Sequence, residues 1–519
     1  MRKTGEGYMN QIYLGIDCGT TSIKCMAINE KGKKLYVASR MHVTNSPKEG
    51  WMEQEPAGWV QPMFETVREC VSAVGKERIK ALALSGHMSS PVFLDDKNQP
   101  LYPCMTVGDA RCEKQAESLI KGYEDKFKTR TNNKPLACFV APKILWFIQN
   151  EPEKYKQTKT VVMAKDYLRY VLTGILNTDT TDAGNTLLFD EKSGTWDEDF
   201  ITELGIRSDI FPKIVQATDY VGSVLPDIAK ECNLPSEVSV YCGGADMACS
   251  QIGTGSFKEG ILAITLSTSG QACMNISDHM DVGYGKVTFH PSVVKGKRYA
   301  MGSVFSGGLA LNWCYRMLSG KEKLSKEDLN KMSLLAGKSI SEKPGSDGVV
   351  FLPFLTGSGS PYFCPTDRAS LVGMSTTTND KSVFQAVMEG VSYNIKESVE
   401  LMSEMAGEIT TIYLSGGGTH VKAWIRVLTD IIGKKIHILE ESDASTLGAA
   451  LIAAAGDRQE LNFEKISAEA MRVVETVVPD MNRTEKYKYL YSVYKGYYQM
   501  LQVMYQKIED FVKEGGKCE

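Results

Sequence analysis

The stretch Leu14-Gly15-Ile16-Asp17-Cys18-Gly19-Thr20-Thr21-Ser22-Ile23-Lys24-Cys25-Met26-Ala27-Ile28 decides the fold. Its apolar run ends in an acid, a glycine and two threonines, and a second apolar run follows at once. This spacing predicts two antiparallel strands joined by a tight turn. Glu30-Lys31-Gly32-Lys33 predicts another turn, leading into a third strand over Leu35 to Met41. Gly19 lacks the Cβ that would block a close approach to backbone N–H groups. Thr20, Thr21 and those N–H groups suit phosphate oxygens, and Asp17 suits a magnesium ion held through water. Asp, Gly and Thr are also ordinary turn residues, so the motif alone leaves a plain hairpin open.

The chain repeats this pattern. Leu262-Ala263-Ile264-Thr265-Leu266-Ser267-Thr268-Ser269-Gly270-Gln271-Ala272-Cys273-Met274-Asn275-Ile276 aligns with it without a gap. Leu14, Ile16, Thr20, Cys25, Met26 and Ile28 fall on Leu262, Ile264, Thr268, Cys273, Met274 and Ile276. Two domains of one topology, each presenting a phosphate turn, account for the echo. Thr265 stands where the first copy has Asp17, so a metal belongs to the first copy. The boundary is expected near Gly253-Thr254-Gly255-Ser256-Phe257, which divides the chain into 1–252 and 253–519.

Size and composition agree with two domains. A chain of 519 residues exceeds one hydrophobic core. Its 43% hydrophobic and 24% charged content is that of a soluble globular protein. A net charge of −4 offers no footprint for nucleic acid or acidic lipid, so small molecules are the expected partners. Thirteen cysteines without a Cys-x-x-Cys pair point to reduced thiols and a cytoplasmic setting. The six dispersed histidines form no zinc or haem spacing. No signal peptide or membrane-spanning run is evident. Strand-like and helix-like segments alternate, which predicts α/β domains.

Two more glycine clusters stand out. Gly243-Gly244-Ala245-Asp246 ends an apolar run and opens a helix-like segment. There Asp246 is either placed for chemistry or an N-cap. Gly416-Gly417-Gly418 lies between a strand and a helix, where a nucleotide can lie against backbone. A plain strand–helix loop accounts for it equally. Leu447 to Ala455 reads as a buried helix. Tyr487, Leu490, Tyr491, Tyr494, Tyr498, Leu501, Tyr505, Ile508 and Phe511 predict one long amphipathic helix whose tyrosine stripe is core.

The order of these pieces resembles the FGGY carbohydrate kinases, within the actin, hexokinase and heat-shock-ATPase superfamily. Trp51 to Pro56, Lys143 to Asn150, Lys165-Asp166-Tyr167-Leu168, Leu172-Thr173-Gly174 and Thr178 to Ala183 are similar to family segments. So are Ala369 to Met374, Ala386 to Gly390, the triple glycine and Leu447-Gly448-Ala449-Ala450. The resemblance implies two actin-like, ribonuclease H-like α/β domains with a nucleotide cleft between them. It implies ATP and Mg2+ as cofactors and Asp246 as catalytic base. Asp17 would serve the metal. Thr20, Thr21 and Lys24 would form one phosphate loop, and Thr265 to Gly270, with Ser267 and Thr268, the other. Gly416, Gly417 and Gly418 would hold adenosine, with Gly307 and Asn312 in the neighbouring wall. Met247 departs from the usual Asp-Asn pair, and Ser267 replaces a usual glycine.

For the acceptor, the resemblance points to Gly86-His87-Met88-Ser89-Ser90 and Gly108-Asp109-Ala110-Arg111. Compared with the xylulokinase pattern, Met88, Asp109 and Arg111 survive. His87, Ser89 and Val107-Gly108 are departures. His87 is either a sugar contact or a hydrogen-bonded loop residue. The expectation is a kinase for a ketopentose such as xylulose; ribulose, fuculose, gluconate and erythritol remain open. The rival classes are an actin-like ATPase that is not a kinase and a nucleotide-binding pseudoenzyme. A homodimer is a candidate assembly.

Overall fold

The computed structural model describes residues 11–276, 281–340 and 343–513. The predicted hairpin is present. Strand Ile12–Cys18 pairs antiparallel with Ser22–Asn29, which pairs antiparallel with Lys34–Met41. On its other side Ile12–Cys18 runs parallel to Ile79–Gly86, which runs parallel to Ser239–Ala245. Strand Tyr220–Ser223 closes that edge antiparallel. Two crossing connections and a hairpin thus bring the ends of three strands, at Cys18, Gly86 and Ala245, to one side of a sheet, the usual place for a site in α/β folds.

The echo forms a second sheet. Ile261–Leu266 pairs antiparallel with Gly270–Ile276 and parallel with Thr411–Ser415. Ile436–Leu439 follows in parallel and Val473–Val477 antiparallel. With Arg298–Val304 beyond Gly270–Ile276, these six strands match the six of the first sheet in order. The repeat is therefore one of topology and not only of a turn.

The chain forms two compact units, and their division is not linear. The first comprises residues 1–258, 289–299 and 443–471; the second comprises 259–288, 300–442 and 472–519. The expected cut at 252/253 lies close to the first crossing, and residues 443–471, beyond that cut, pack within the first unit. Helix Ala444–Arg458 packs in the first unit, against strand Ile12–Cys18 and helix Asp246–Thr254. Its small residues explain this. A Cβ on Gly448 would sit 1.8 Å from the Cys249 carbonyl oxygen, and one on Gly15 would sit 2.1 Å from that of Thr446. Only backbone-close contact permits such packing.

Each unit has its own apolar core. In the first, Ile12, Leu14, Ile16, Leu82, Leu84 and Val240 join Trp59 and Val67 of the covering helix. In the second, helix Met481–Lys513 buries Tyr487, Tyr491, Tyr494, Tyr498 and Tyr505 against Val350, Leu352 and Phe354. Ile508 and Phe511, expected in the same stripe, are exposed. Among the described residues no helix is long and apolar enough to cross a membrane.

Candidate active site

In the first unit the turn after Cys18 is pinned through its carbonyls. His42 Nε2 lies 2.8 Å from the Gly19 oxygen, and Gln54 Nε2 donates to the Thr20 oxygen at 2.8 Å. Trp59 Nε1 fixes Gln54 in turn at 2.9 Å. The side chains of Thr20 and Thr21 are left exposed. Asp17, at the strand end, is buried; Ser445 donates to its Oδ2 at 3.2 Å, while Oδ1 has no hydrogen-bond partner. Burial raises its pKa, opposed first by the Ser85 hydroxyl and then by the Lys24 ammonium. Lys24 itself forms an ion pair with Asp443.

Asp246 opens helix Asp246–Thr254 one residue after Ala245, so it is not the cap. Its Oδ1 accepts the Met247 N–H at 2.8 Å, and the Met88 backbone amide favours its ionised form. The carboxyl is pushed up to about 8 by burial first and by the Asp17 charge second. The Met88 loop is internally tied. His87 Nδ1 lies 2.6 Å from Ser90 Oγ, which donates to the Met88 carbonyl at 3.0 Å. Burial pushes the His87 imidazole down to about 3, so it is neutral at physiological pH. Its Nε2 is buried without a partner.

Asp109 and Arg111 form one unit of structure. Arg111 Nε donates to Asp109 Oδ1 at 2.8 Å, and another guanidinium nitrogen lies 2.7 Å from Oδ2 and 2.6 Å from Glu53. The Met52 N–H takes Asp109 Oδ2 at 2.7 Å. The guanidinium stacks 3.6 Å over the Trp51 ring, with Trp146 at 5.2 Å. Both carboxylate oxygens of Asp109 are thus engaged within the protein.

Two groups that sequence reasoning passed over bear on this site. Lys143, fully buried, donates to the carbonyls of Ser89 and Thr106 at 2.7 Å each and so ties the loop of Met88 to the loop of Asp109. Lys165, Asp166, Arg169, Asp179 and Asp182 form a buried ionic cluster. Lys143, Lys165, Asp166, Asp179 and Asp182 lay within segments quoted for the resemblance; only for Lys143, a lysine inside an apolar helix, was a signal available.

In the second unit, the turn at Ser267 is gripped by a helix N-terminus. The N–H groups of Gly308 and Leu309 donate to the carbonyls of Ser267 and Thr268 at 2.8 and 2.9 Å. Gly307 is the N-cap of that helix, Gly308–Ser319, and a Cβ there would meet the Ser269 carbonyl carbon at 2.5 Å. Asn312 follows one turn on, half-buried. Ser267 Oγ turns back onto the Ser269 carbonyl at 3.2 Å. Ser267 and Thr268 are exposed. Gly416 has φ of 92° and lies against the same strand: a Cβ would be 2.3 Å from the Leu266 oxygen. Thus Ser267, Thr268, Gly307 and Gly416 to Gly418 are gathered around one strand end.

The N-terminal domain of the FGGY family of carbohydrate kinases matches residues 12–253, and its C-terminal domain matches residues 262–456. The chain belongs to the FGGY family of carbohydrate kinases. This kinase is 32% identical over 489 residues to the xylulose kinase of Bacillus subtilis, covering 93% of this chain and 96% of that one. It is 30% identical over 510 residues to the xylulose kinase of Lactococcus lactis, covering 97% and 99%. The crystal structure of a xyloylose kinase from Brucella ovis superposes with a TM-score of 0.85 at 26% identity, covering 95% of the kinase and 100% of that chain. The kinase thus has the family's two-domain actin-like fold and transfers phosphoryl from ATP to a carbohydrate.

Proposed function

We propose that the kinase phosphorylates a ketopentose, with xylulose as first choice, and that Asp246 is the base that takes the hydroxyl proton. The names of the two full-length relatives support the sugar. The observation that carries the chemistry is the placement of Asp246: it opens a helix directly at the end of strand Ser239–Ala245, where the Met88 backbone amide of the proposed acceptor loop favours its ionised form. A sugar hydroxyl becomes an adequate nucleophile as its proton leaves. Its oxygen forms the new bond to the γ-phosphorus, the bond from that phosphorus to the β-bridging oxygen breaks, and the proton passes to Asp246. The raised pKa makes Asp246 a stronger proton acceptor than an ordinary carboxylate once ionised.

Asp17, with one buried oxygen unbonded, fits a hydrated divalent cation. Magnesium bound there would neutralise charge on the phosphoryl oxygens. Thr20, Thr21, Lys24, Ser267 and Thr268 would contact phosphate. Gly307, Asn312 and Gly416 to Gly418 would hold the adenosine. His87 and Met88 would face the sugar, with the Asp109–Arg111 pair shaping the loop beside them.

ADP release measured across xylulose, ribulose, fuculose, gluconate, erythritol and glycerol tests this reading. Xylulose is expected to give the highest kcat/KM. A clear preference for another acceptor overturns the sugar, and Asp246→Ala with undiminished kcat overturns the base.

A further inference from the structure

Next to Asp246 in the fold lies a charged cluster that the reaction outlined above does not use. Lys165, Asp166, Arg169, Asp179 and Asp182 are all buried. Lys165 Nζ lies 2.6 Å from Asp166, 2.7 Å from Asp179 Oδ1 and 2.9 Å from Asp182. Arg169 pairs with Asp166 at 2.8 Å and donates to the Cys242 carbonyl at 3.0 Å. The three carboxylates converge as metal ligands would. The Lys165 ammonium already serves all three, so the cation there is the protein's own.

The cluster reaches Asp246 through one side chain. The Thr181 N–H donates to Asp179 Oδ2 at 2.7 Å, and the Thr181 hydroxyl bonds the same oxygen. The Ala245 N–H donates to Thr181 Oγ1 at 2.8 Å. An amide N–H can only donate and an ionised carboxylate can only accept. The hydroxyl therefore points its hydrogen at Asp179 and a lone pair at Ala245. Lys165 holds the other Asp179 oxygen, so the relay has one orientation. Ala245 is the N-cap residue of helix Asp246–Thr254 and has no side-chain cap of its own. The strand can come this close because residue 244 is glycine: a Cβ there would lie 3.0 Å from Thr181 Oγ1.

We propose that Thr181, oriented by Asp179, is a positioning residue that sets where the Asp246 carboxylate stands. The inference rests on Asp246 being the base. A displacement of about 1 Å in a reacting group can cost on the order of 100-fold in rate. Loss of the Thr181 bond frees the backbone one residue before that group. The effect falls on kcat, because nothing in this relay is assigned to nucleotide or sugar.

Thr181→Val keeps the shape and removes both hydrogen bonds; Thr181→Ser keeps both bonds. With the kinase purified intact, kcat is expected to fall at least about 30-fold in Thr181→Val, with the KM for ATP within about threefold. Thr181→Ser is expected to stay within about threefold of the parent. A carboxylate released toward water also titrates lower, so the acid limb of kcat/KM is expected to move to lower pH in Thr181→Val. A kcat within threefold of the parent, or an unmoved limb, overturns the proposal. If Thr181→Val does not fold, Thr181→Cys, with its weaker acceptor, is judged by the same limits. Asp246→Asn is measured alongside. If it keeps full turnover, the base assignment fails. If it loses turnover while Thr181→Val keeps it, the positioning role alone fails.

Discussion

Lys143 Nζ donates to the Ser89 carbonyl oxygen at 2.7 Å, and Ser89 holds a left-handed φ of 58°. A non-glycine residue rarely rests there without compensation. The ammonium supplies it, and its second bond, to Thr106, carries the constraint to the loop of Asp109 and Arg111. Burial lowers the lysine's pKa, with Asp109 among the groups opposing the shift.

Lys143→Met fills similar space and removes the charge. Two buried carbonyls then lose a charge-assisted bond each, at a cost of about 2–4 kcal/mol in all. Urea denaturation should show that loss. The Met88 and Asp109 loops should loosen while Gly416 to Gly418, carried on the other unit, are untouched; if those loops hold the sugar and those glycines the adenosine, the sugar KM rises and the ATP KM does not. Equal stability and an unchanged sugar KM would contradict this account of the lysine.

The Asp246 carboxyl, pushed up to about 8, makes a paired prediction about pH. In the unfolded chain it titrates near 4. Between those values the folded state holds the extra proton. Stability from this group is therefore complete below about pH 4 and is lost as pH rises through about 8. Asp246→Asn removes the ionisation, so its melting temperature relative to the parent should climb from pH 6 to pH 9. If Asp246 is the base, catalysis runs the opposite way. Only the carboxylate accepts a proton, so kcat/KM for the sugar should rise about tenfold per pH unit below that pKa and level off above it. A profile flat from pH 6 to 9, or a melting difference that does not change with pH, counts against the shift.

What was legible in the sequence was local. Two apolar runs joined by a short turn gave both hairpins, but not their exact register: Asp17 stands opposite Lys24, whereas its counterpart Thr265 stands opposite Gln271, so the second turn is tighter by one residue. The destination of helix Ala444–Arg458 was not legible, because its small residues say only that something comes close. Their partners, Gly15 and Cys249, are separated from it by hundreds of residues of sequence. The Lys165 cluster was hidden for a related reason: each member reads as a surface charge until tertiary packing brings five together. Asp109 and Arg111 looked like free ligand groups, but sequence cannot show that each neutralises the other beneath Trp51. Gly307 came by resemblance, and the structure adds the contact with Ser269 that requires it.

Gly416 and Gly417 are neighbours with opposite constraints. Gly416 has φ of 92° and would drive a Cβ to 2.3 Å from the Leu266 oxygen. Gly417 has ordinary space: nothing lies within 4 Å of an added Cβ. Gly416→Ala must shift the strand Ile261–Leu266 or its own turn, and should destabilise the kinase by about 2 kcal/mol or more. Gly417→Ala should leave the melting temperature within a degree or two of the parent. If residues 416–418 hold adenosine, the added methyl of Gly417→Ala stands where the nucleotide lies, and the ATP KM should rise severalfold with the sugar KM unchanged. Unaltered ATP binding in a stable Gly417→Ala protein would move the adenosine away from this loop. Equal stability of the two variants would refute the steric contrast between them.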